Sequence, residues 1–426
     1  PDIGTSYNSL ALIYRDLGMY EKALVAQQKA LAVREEVLEA NHPLIAISYN
    51  NLSLIYRALG TYGKALVAQE KALSIQEAVL QSNHPDLATS YNNLAAIYQD
   101  LRMYEKALAA QEKALVIREV VLQPNHPLIA TSYNNLALIY QGLGDYEKAL
   151  EAQEKSLAIR EAVLQPDHPD IAQSYNNLAV IYQGLRVYEK ALAAQQKVLI
   201  IQKATLQPNH PDIAISYNNL ALILYHHNKL DSALLYGQMA YTILKEKLPA
   251  SHPYLTDVQI NFGFLLSKKG QQQLTNGLYE DALRCLQKVL NFDPKNGPLY
   301  NQIGLCHYYK QNYEQAIQAY QQAKELSTDY EMIFLNNTGM AYAKWGKMKE
   351  AKAHFEQLQQ LLPEHPIVYR DWALYFALTG KKEEALSNLE KAVELGYDNL
   401  QWIESEDCFK FIHSEPRYQE LVKRLK

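Results

Sequence analysis

Cysteine is scarce in this chain: Cys285, Cys306 and Cys408 all fall in the last third, without the close pairing that zinc, redox or disulfide frameworks need. They read as buried apolar fillers in a reducing compartment. No apolar run approaches the roughly 18 to 20 residues that cross a bilayer, and no signal-peptide pattern opens the chain. A soluble, cytoplasmic protein without a membrane partner is expected. Dense Lys/Arg runs are also lacking, and the net charge is −5 with a pI near 6.2. Without a basic footprint for phosphates, nucleic acid is not expected as a partner. No Gly-rich phosphate loop, Gly-x-Ser-x-Gly elbow or His-Glu-x-x-His motif occurs, so no catalytic residue, metal or cofactor is assigned and the chain is not read as an enzyme.

Among aromatics, 8 phenylalanines and 3 tryptophans stand against 32 tyrosines, so something places tyrosine repeatedly. At 426 residues the chain exceeds what one compact core usually supports. Self-similarity resolves both points. His-Pro recurs at His42, His84, His126, His168, His210 and His252, a constant period of 42 residues. Ser-Tyr-Asn recurs from Ser6, Ser48, Ser90, Ser132, Ser174 and Ser216, and Tyr-x-Lys-Ala-Leu from Tyr20, Tyr62, Tyr104, Tyr146 and Tyr188. Pro1 precedes Pro43 by one period, so the chain is expected to open at a repeat edge and to be part of a longer protein.

The unit from Pro127 to His168 reads as two helices and two turns. Proline takes the first helical position, where a missing N–H costs nothing, and Ile129, Tyr133, Leu136 and Tyr140 recur at helical spacing. Gly142 and Gly144 are expected to close this helix. A second helix from Tyr146 buries Ala149, Leu150 and Leu157 and leaves Glu147, Lys148 and Glu151 in solvent. Six such units fill residues 1–252. A seventh spans 253–297, with residues 270–277 inserted between its helices as an internal joint. Three units at 34- or 35-residue spacing fill 298–397, and residues 398–426, with Trp402, Phe409, Phe411 and Tyr418, form a cap.

Small residues at Ala137 and Ala149, aromatics at Tyr133, Tyr140 and Tyr146, and Gly144 together resemble the tetratricopeptide repeat. The 42-residue form, with its Asn-Asn-Leu-Ala core and long second helix, resembles the kinesin light chain type, although there is no heptad segment and the last third has ordinary spacing. The resemblance implies an all-α, right-handed superhelix of about ten helix pairs with a C-terminal cap. It further implies that first helices line a concave groove that receives peptide segments, as a scaffold does.

On that reading the open side of the first helices carries Asn50 and Asn51, Asn92 and Asn93, Asn134 and Asn135, Asn176 and Asn177, and Asn218 and Asn219. Asn261 and Asn337 continue the series. An amide offers both donors and an acceptor to an extended backbone, and in the resembled family this position contacts peptide backbone. The alternative is that one asparagine of each pair ties adjacent repeats together. Leu138 and Val180, with Gln141 and Gln183 a turn further on, complete the candidate site. Leu12, Leu54, Leu222 and Phe264 are equivalent anchors unless they pack against neighbouring helices. Pro127 to Gly144 carries no charge, which argues against a carboxylate clamp. The repeated histidines sit at helix starts, one repeat apart, and read as caps. The expected partner is therefore a protein or peptide; oligomeric state is open. The competing readings are a structural or self-assembling module, or a regulatory array docking on another domain of its own polypeptide.

Overall fold

The computed structural model describes residues 2–327 and 331–426, and among these every regular element is a helix. Pro1, read above as a repeat edge, lies outside the described residues. The chain divides into two compact units, Pro1–Pro249 and Ala250–Lys426.

The first unit holds six helix pairs: α1 (Asp2–Asp16) with α2 (Tyr20–Val37), α3 (Pro43–Ala58) with α4 (Tyr62–Val79), α5 (Pro85–Asp100) with α6 (Tyr104–Val121), α7 (Pro127–Leu143) with α8 (Tyr146–Val163), α9 (Pro169–Gly184) with α10 (Tyr188–Thr205), and α11 (Pro211–His226) with α12 (Leu230–Lys247). Each first helix from α3 onward starts with the same device. Proline stands at the first turn, and Nδ1 of His42, His84, His126, His168 or His210 accepts the backbone N–H two residues on, at 3.1 to 3.2 Å. The histidine series is thus a set of caps. Ala23, Ala65, Ala107, Ala149, Ala191 and Ala233 are fully buried, and their small side chains let paired helices approach closely.

The tyrosines knit successive repeats. Tyr49 of α3 donates its hydroxyl to Glu35 of α2 at 2.7 Å while Lys71 of α4 lies 5.2 Å from its ring centroid. Tyr133 repeats this with Glu119 at 2.7 Å and Lys155 at 5.5 Å. Burial, then the neighbouring carboxylate, pushes the Tyr49 and Tyr133 hydroxyls up to about 12, so both stay protonated donors.

One expectation about glycine is corrected. Gly144 does end α7, in the left-handed region at φ 78°, but Gly142 lies inside the helix, which runs on to Leu143. A Cβ on Gly142 would stand 2.2 Å from a ring carbon of Tyr104, so this glycine makes room for the tyrosine that opens the preceding second helix. Where Gly144 stands in α7, Arg102 and Arg186 take φ of 58° and 59°, a region that costs a side-chain-bearing residue roughly 1 kcal/mol or more. Arg186→Gly is therefore expected to raise stability by about 0.5–1 kcal/mol, read as a higher urea midpoint. A lower midpoint would show that the Arg186 side chain contributes more than its backbone strain costs.

The second unit pairs α13 (Pro253–Thr275) with α14 (Tyr279–Leu290), α15 (Gly297–Tyr309) with α16 (Tyr313–Leu326), α17 (Glu331–Lys344) with α18 (Met348–Leu361), and α19 (Pro366–Leu378) with α20 (Lys382–Glu394). Residues 270–275 are not a joint between helices: they continue α13, a single helix of 23 residues, and the turn begins only at Asn276. Gly270 is buried there, and the Leu286 side chain packs so close that a Cβ would stand 2.8 Å from it. The end of the chain forms α21 (Leu400–Ser405), a 3-10 turn (Asp407–Ile412) and α22 (Pro416–Leu425). Phe409 and Tyr418 are buried in one cluster with Phe355 and Trp372, and Trp402 packs against it, whereas Phe411 stays 40% exposed and takes no part in covering the core.

Candidate functional site

The asparagine pairs form a ladder between repeats. The second asparagine of each repeat donates Nδ2–H to Oδ1 of the first asparagine in the repeat before: Asn51 to Asn8 at 2.9 Å, Asn93 to Asn50 at 3.0 Å, Asn135 to Asn92 at 3.0 Å, Asn177 to Asn134 at 2.9 Å, and Asn219 to Asn176 at 3.4 Å. Buried glutamines of the second helices support three of the acceptors. Gln27, Gln69 and Gln111 donate Nε2–H to Asn8, Asn50 and Asn92 at 3.1, 3.2 and 3.5 Å. The amides therefore tie adjacent repeats, as the alternative reading has it, but with only part of their capacity. Nδ2 of the first residue and Oδ1 of the second stay outside the ladder. Asn134 is buried, whereas Asn50, Asn51, Asn92, Asn93, Asn135, Asn176, Asn177, Asn218, Asn219 and Asn261 are half-buried.

Beside the ladder, Leu138 and Val180 are 38% and 45% exposed at the same place in consecutive repeats, and Phe264 is exposed on α13. Leu12, Leu54 and Leu222 are half-buried. Gln141 and Gln183 are half-buried too, and Gln141 Nε2 is buried with no hydrogen-bond partner among the described residues, a state that costs about 1–3 kcal/mol unless something satisfies it. The first helices are not wholly without charge: Arg57 of α3 pairs with Asp100 of α5 across a repeat boundary, leaving no net charge there.

Two elements of this region escaped the sequence reading. Asn301 on α15 accepts from Asn337 on α17 at 2.8 Å, so the second unit has a rung of its own, but at a separation of 36 residues that the 42-residue period does not reveal. The other is a column of buried arginines, Arg34, Arg118 and Arg160, with no carboxylate in their hydrogen-bond sets. Burial lowers the pKa of each guanidinium, and the cost is offset by oxygen acceptors. Arg118 Nη1 donates to the Leu128 carbonyl at 3.1 Å and to Ser132 Oγ at 2.7 Å. The signal was present as Arg, Gln, Arg, Arg, Gln at positions 34, 76, 118, 160 and 202.

Among the described residues, no group of three or more His, Cys, Asp or Glu is placed to hold a metal ion, and no helix is long and apolar enough to cross a membrane.

Capped helix pairs in tandem, small residues at the crossings and side-chain ties between repeats define an all-α superhelical repeat protein. The family model described as tetratricopeptide repeat matches residues 2–78, 86–162 and 170–246, and two further models of that description match 297–330 and 334–365. The chain belongs to the tetratricopeptide repeat family. Among solved structures it is similar to the nearly identical TPR-like repeats of a kinesin light chain from Podosopora anserina, at 29% identity over 47% of this chain and 95% of that one, with a TM-score of 0.44. It is similar also to BtubC (BKLC) from P. vanneervenii, at 21% identity, 56% and 93% coverage and TM-score 0.45. A tetratricopeptide repeat protein from Parabacteroides merdae shares 18% identity over 72% of this chain and 99% of that one, with a TM-score of 0.44. Arrays of this family are in general protein-interaction scaffolds and typically not catalysts.

Proposed function

We propose that this chain is an interaction module that binds an extended peptide along the first helices of its 42-residue repeats, as the sensor or adaptor part of a larger protein. The observation that carries the reading is the stripe formed by Asn134, Leu138 and Gln141 and repeated one unit later by Asn176, Val180 and Gln183. Exposed apolar side chains stand there beside amides with capacity to spare, and one buried amide nitrogen lacks a partner. Amides outside the ladder supply pairing to any peptide backbone, and Leu138 and Val180 supply apolar anchors. One net hydrogen bond contributes only about 0.5–1.5 kcal/mol, whereas micromolar affinity needs about 8 kcal/mol, so several repeats engage one ligand together. The three unpaired cysteines fit a reducing, cytoplasmic setting.

Alanine at Asn135 or Asn177 is a poor test, because each donates a rung of the ladder and its loss would loosen the array. Leu138→Asp with Val180→Asp alters the stripe without touching a rung. Peptides selected from a display library on the full chain are expected to bind this double variant at least about tenfold more weakly, at unchanged helicity by circular dichroism. Undiminished binding would place the ligand elsewhere.

A second reading has its own observation: Val37, Val79, Val121 and Val163, one repeat apart at the ends of second helices, are 36% to 52% exposed. Such an apolar row suits self-association. A concentration-independent sedimentation coefficient would dispose of it.

A further inference from the structure

In three repeats of the first unit an arginine of the second helix fills the space beside the next first helix. Arg34 Nη1 donates to the Leu44 carbonyl at 2.9 Å and to Ser48 Oγ at 2.8 Å, and Arg160 Nη1 donates to the Asp170 carbonyl at 2.9 Å and to Ser174 Oγ at 2.8 Å. Arg118 makes the same pair of bonds and also approaches Asn92 Oδ1 of the ladder at 3.5 Å. Two repeats further on, 84 residues along the chain, the equivalents of Arg118, Asn92, Leu128 and Ser132 are Gln202, Asn176, Asp212 and Ser216. Glutamine is shorter than arginine and uncharged. A cavity of about 390 Å³ opens there between α9, α10 and α11, with Asn176, Gln202, Asp212 and Ser216 in its lining. Its apolar wall is made by Val198, Leu206 and Ile215.

We propose that this cavity takes the side chain of an arginine from an extended partner segment. The chain itself shows what fits, because in three sister repeats the equivalent carbonyl and serine oxygens hold a guanidinium, joined in the Arg118 repeat by the equivalent asparagine. The aliphatic stem lies along Val198, Leu206 and Ile215, as arginine stems do on apolar surface. The planar head meets the Asp212 carbonyl, Ser216 Oγ and Asn176 Oδ1. Ser216 already donates its hydroxyl proton to Gln202 Oε1 at 2.6 Å, which leaves its lone pairs to accept. Ser174 does the same in the filled repeat, donating to the Asp170 carbonyl at 3.1 Å while accepting from Arg160. The Asp212 carboxylate, 3.7 Å from His210 Nδ1, brings to the cavity's rim a negative charge that Leu44 and Leu128 do not bring to Arg34 and Arg118, and that acts through space, as Asp170 does on Arg160. Asn176 also belongs to the peptide-binding stripe, so the inference rests on the peptide reading for what delivers the arginine, but not for the cavity's preference.

The test uses N-acetyl-arginine methylamide and its citrulline counterpart, which keeps the shape and loses the charge, titrated into the full chain by saturation-transfer NMR. The arginine probe is expected to bind, and the citrulline probe about tenfold more weakly or not at all. Gln202→Arg plugs the cavity in the way Arg118 and Arg160 do, so it keeps the wild-type melting curve and loses the arginine probe. Asp212→Asn leaves the cavity open and weakens the probe about tenfold. Equal binding of the two probes, no binding of either, or full binding by folded Gln202→Arg overturns the inference. Should Gln202→Arg not fold, the Asp212→Asn titration decides alone, and undiminished affinity there overturns it. Library peptides that lose affinity for the Leu138→Asp and Val180→Asp variant while ignoring Gln202→Arg would refute the arginine pocket and leave the peptide reading standing.

Discussion

Replacing Arg370 by alanine is expected to destabilise the second unit by about 3–5 kcal/mol, because it strips the partner from a fully buried carboxylate. Asp371 has no exposed surface, and its Oδ1 accepts from Arg370 Nε at 2.8 Å while Oδ2 has no partner. Burial pushes the Asp371 carboxyl up to about 6, against the pull of the guanidinium. The sign follows from linkage. An acid whose folded pKa lies above its unfolded 3.8 binds more protons in the native state between about pH 4 and 6. Its contribution therefore falls as pH rises through that window and is level above it. Without Arg370 the carboxyl is pushed further up, so the loss continues past pH 6. Hydrogen exchange of α17 to α20 in the full chain, followed from pH 4 to 8, reads both effects. Wild-type protection in Arg370→Ala at pH 7 would show that the pair contributes nothing.

Gly304→Ala should cost about 2 kcal/mol net: overpacking of up to about 3 kcal/mol against a helix-propensity gain of about 1. A Cβ there would stand 2.3 Å from a ring carbon of Tyr320, which is 1% exposed and packed with Ala316 and Ala341, so the ring has nowhere to go. Gly142→Ala meets Tyr104 at 2.2 Å, yet Tyr104 is only half-buried, and Ala58 occupies the same position two repeats earlier. That variant should lie within about 1 kcal/mol of wild type. Urea titration of the two variants side by side decides; equal losses would mean that ring mobility is not what separates them.

The helix pairs and their starts were legible in the sequence because prolines and histidine caps recur through the first 252 residues and the Tyr-x-Lys-Ala-Leu motif opens the second helix in five of the six units there. A period identifies equivalent positions but not what each one touches. Thus Gly142 looked like a terminator when it is the seat of a tyrosine ring, and residues 270–275 looked like a joint because the second helix moved along the chain when the first was lengthened. The asparagine column was visible, but the direction of its bonds was not. Nothing in a list of paired amides says that the second of one repeat reaches back to the first of the one before, or that Asn301 continues the scheme at another spacing. The cavity beside Gln202 was hidden for a related reason. Two of the five positions in the arginine column are glutamine, and the one at 202 matters only once the acceptors that surround it are known.

The backward reach of each rung spans 43 residues where the repeat spans 42, so one half of every tie lies in each neighbour. A duplicated copy of the unit therefore arrives with a tail that fits its predecessor and a socket that fits its successor. Arrays of this sequence can lengthen or shorten by whole units during evolution without any new joint having to be invented, and the likeness of the copies is what such growth leaves behind.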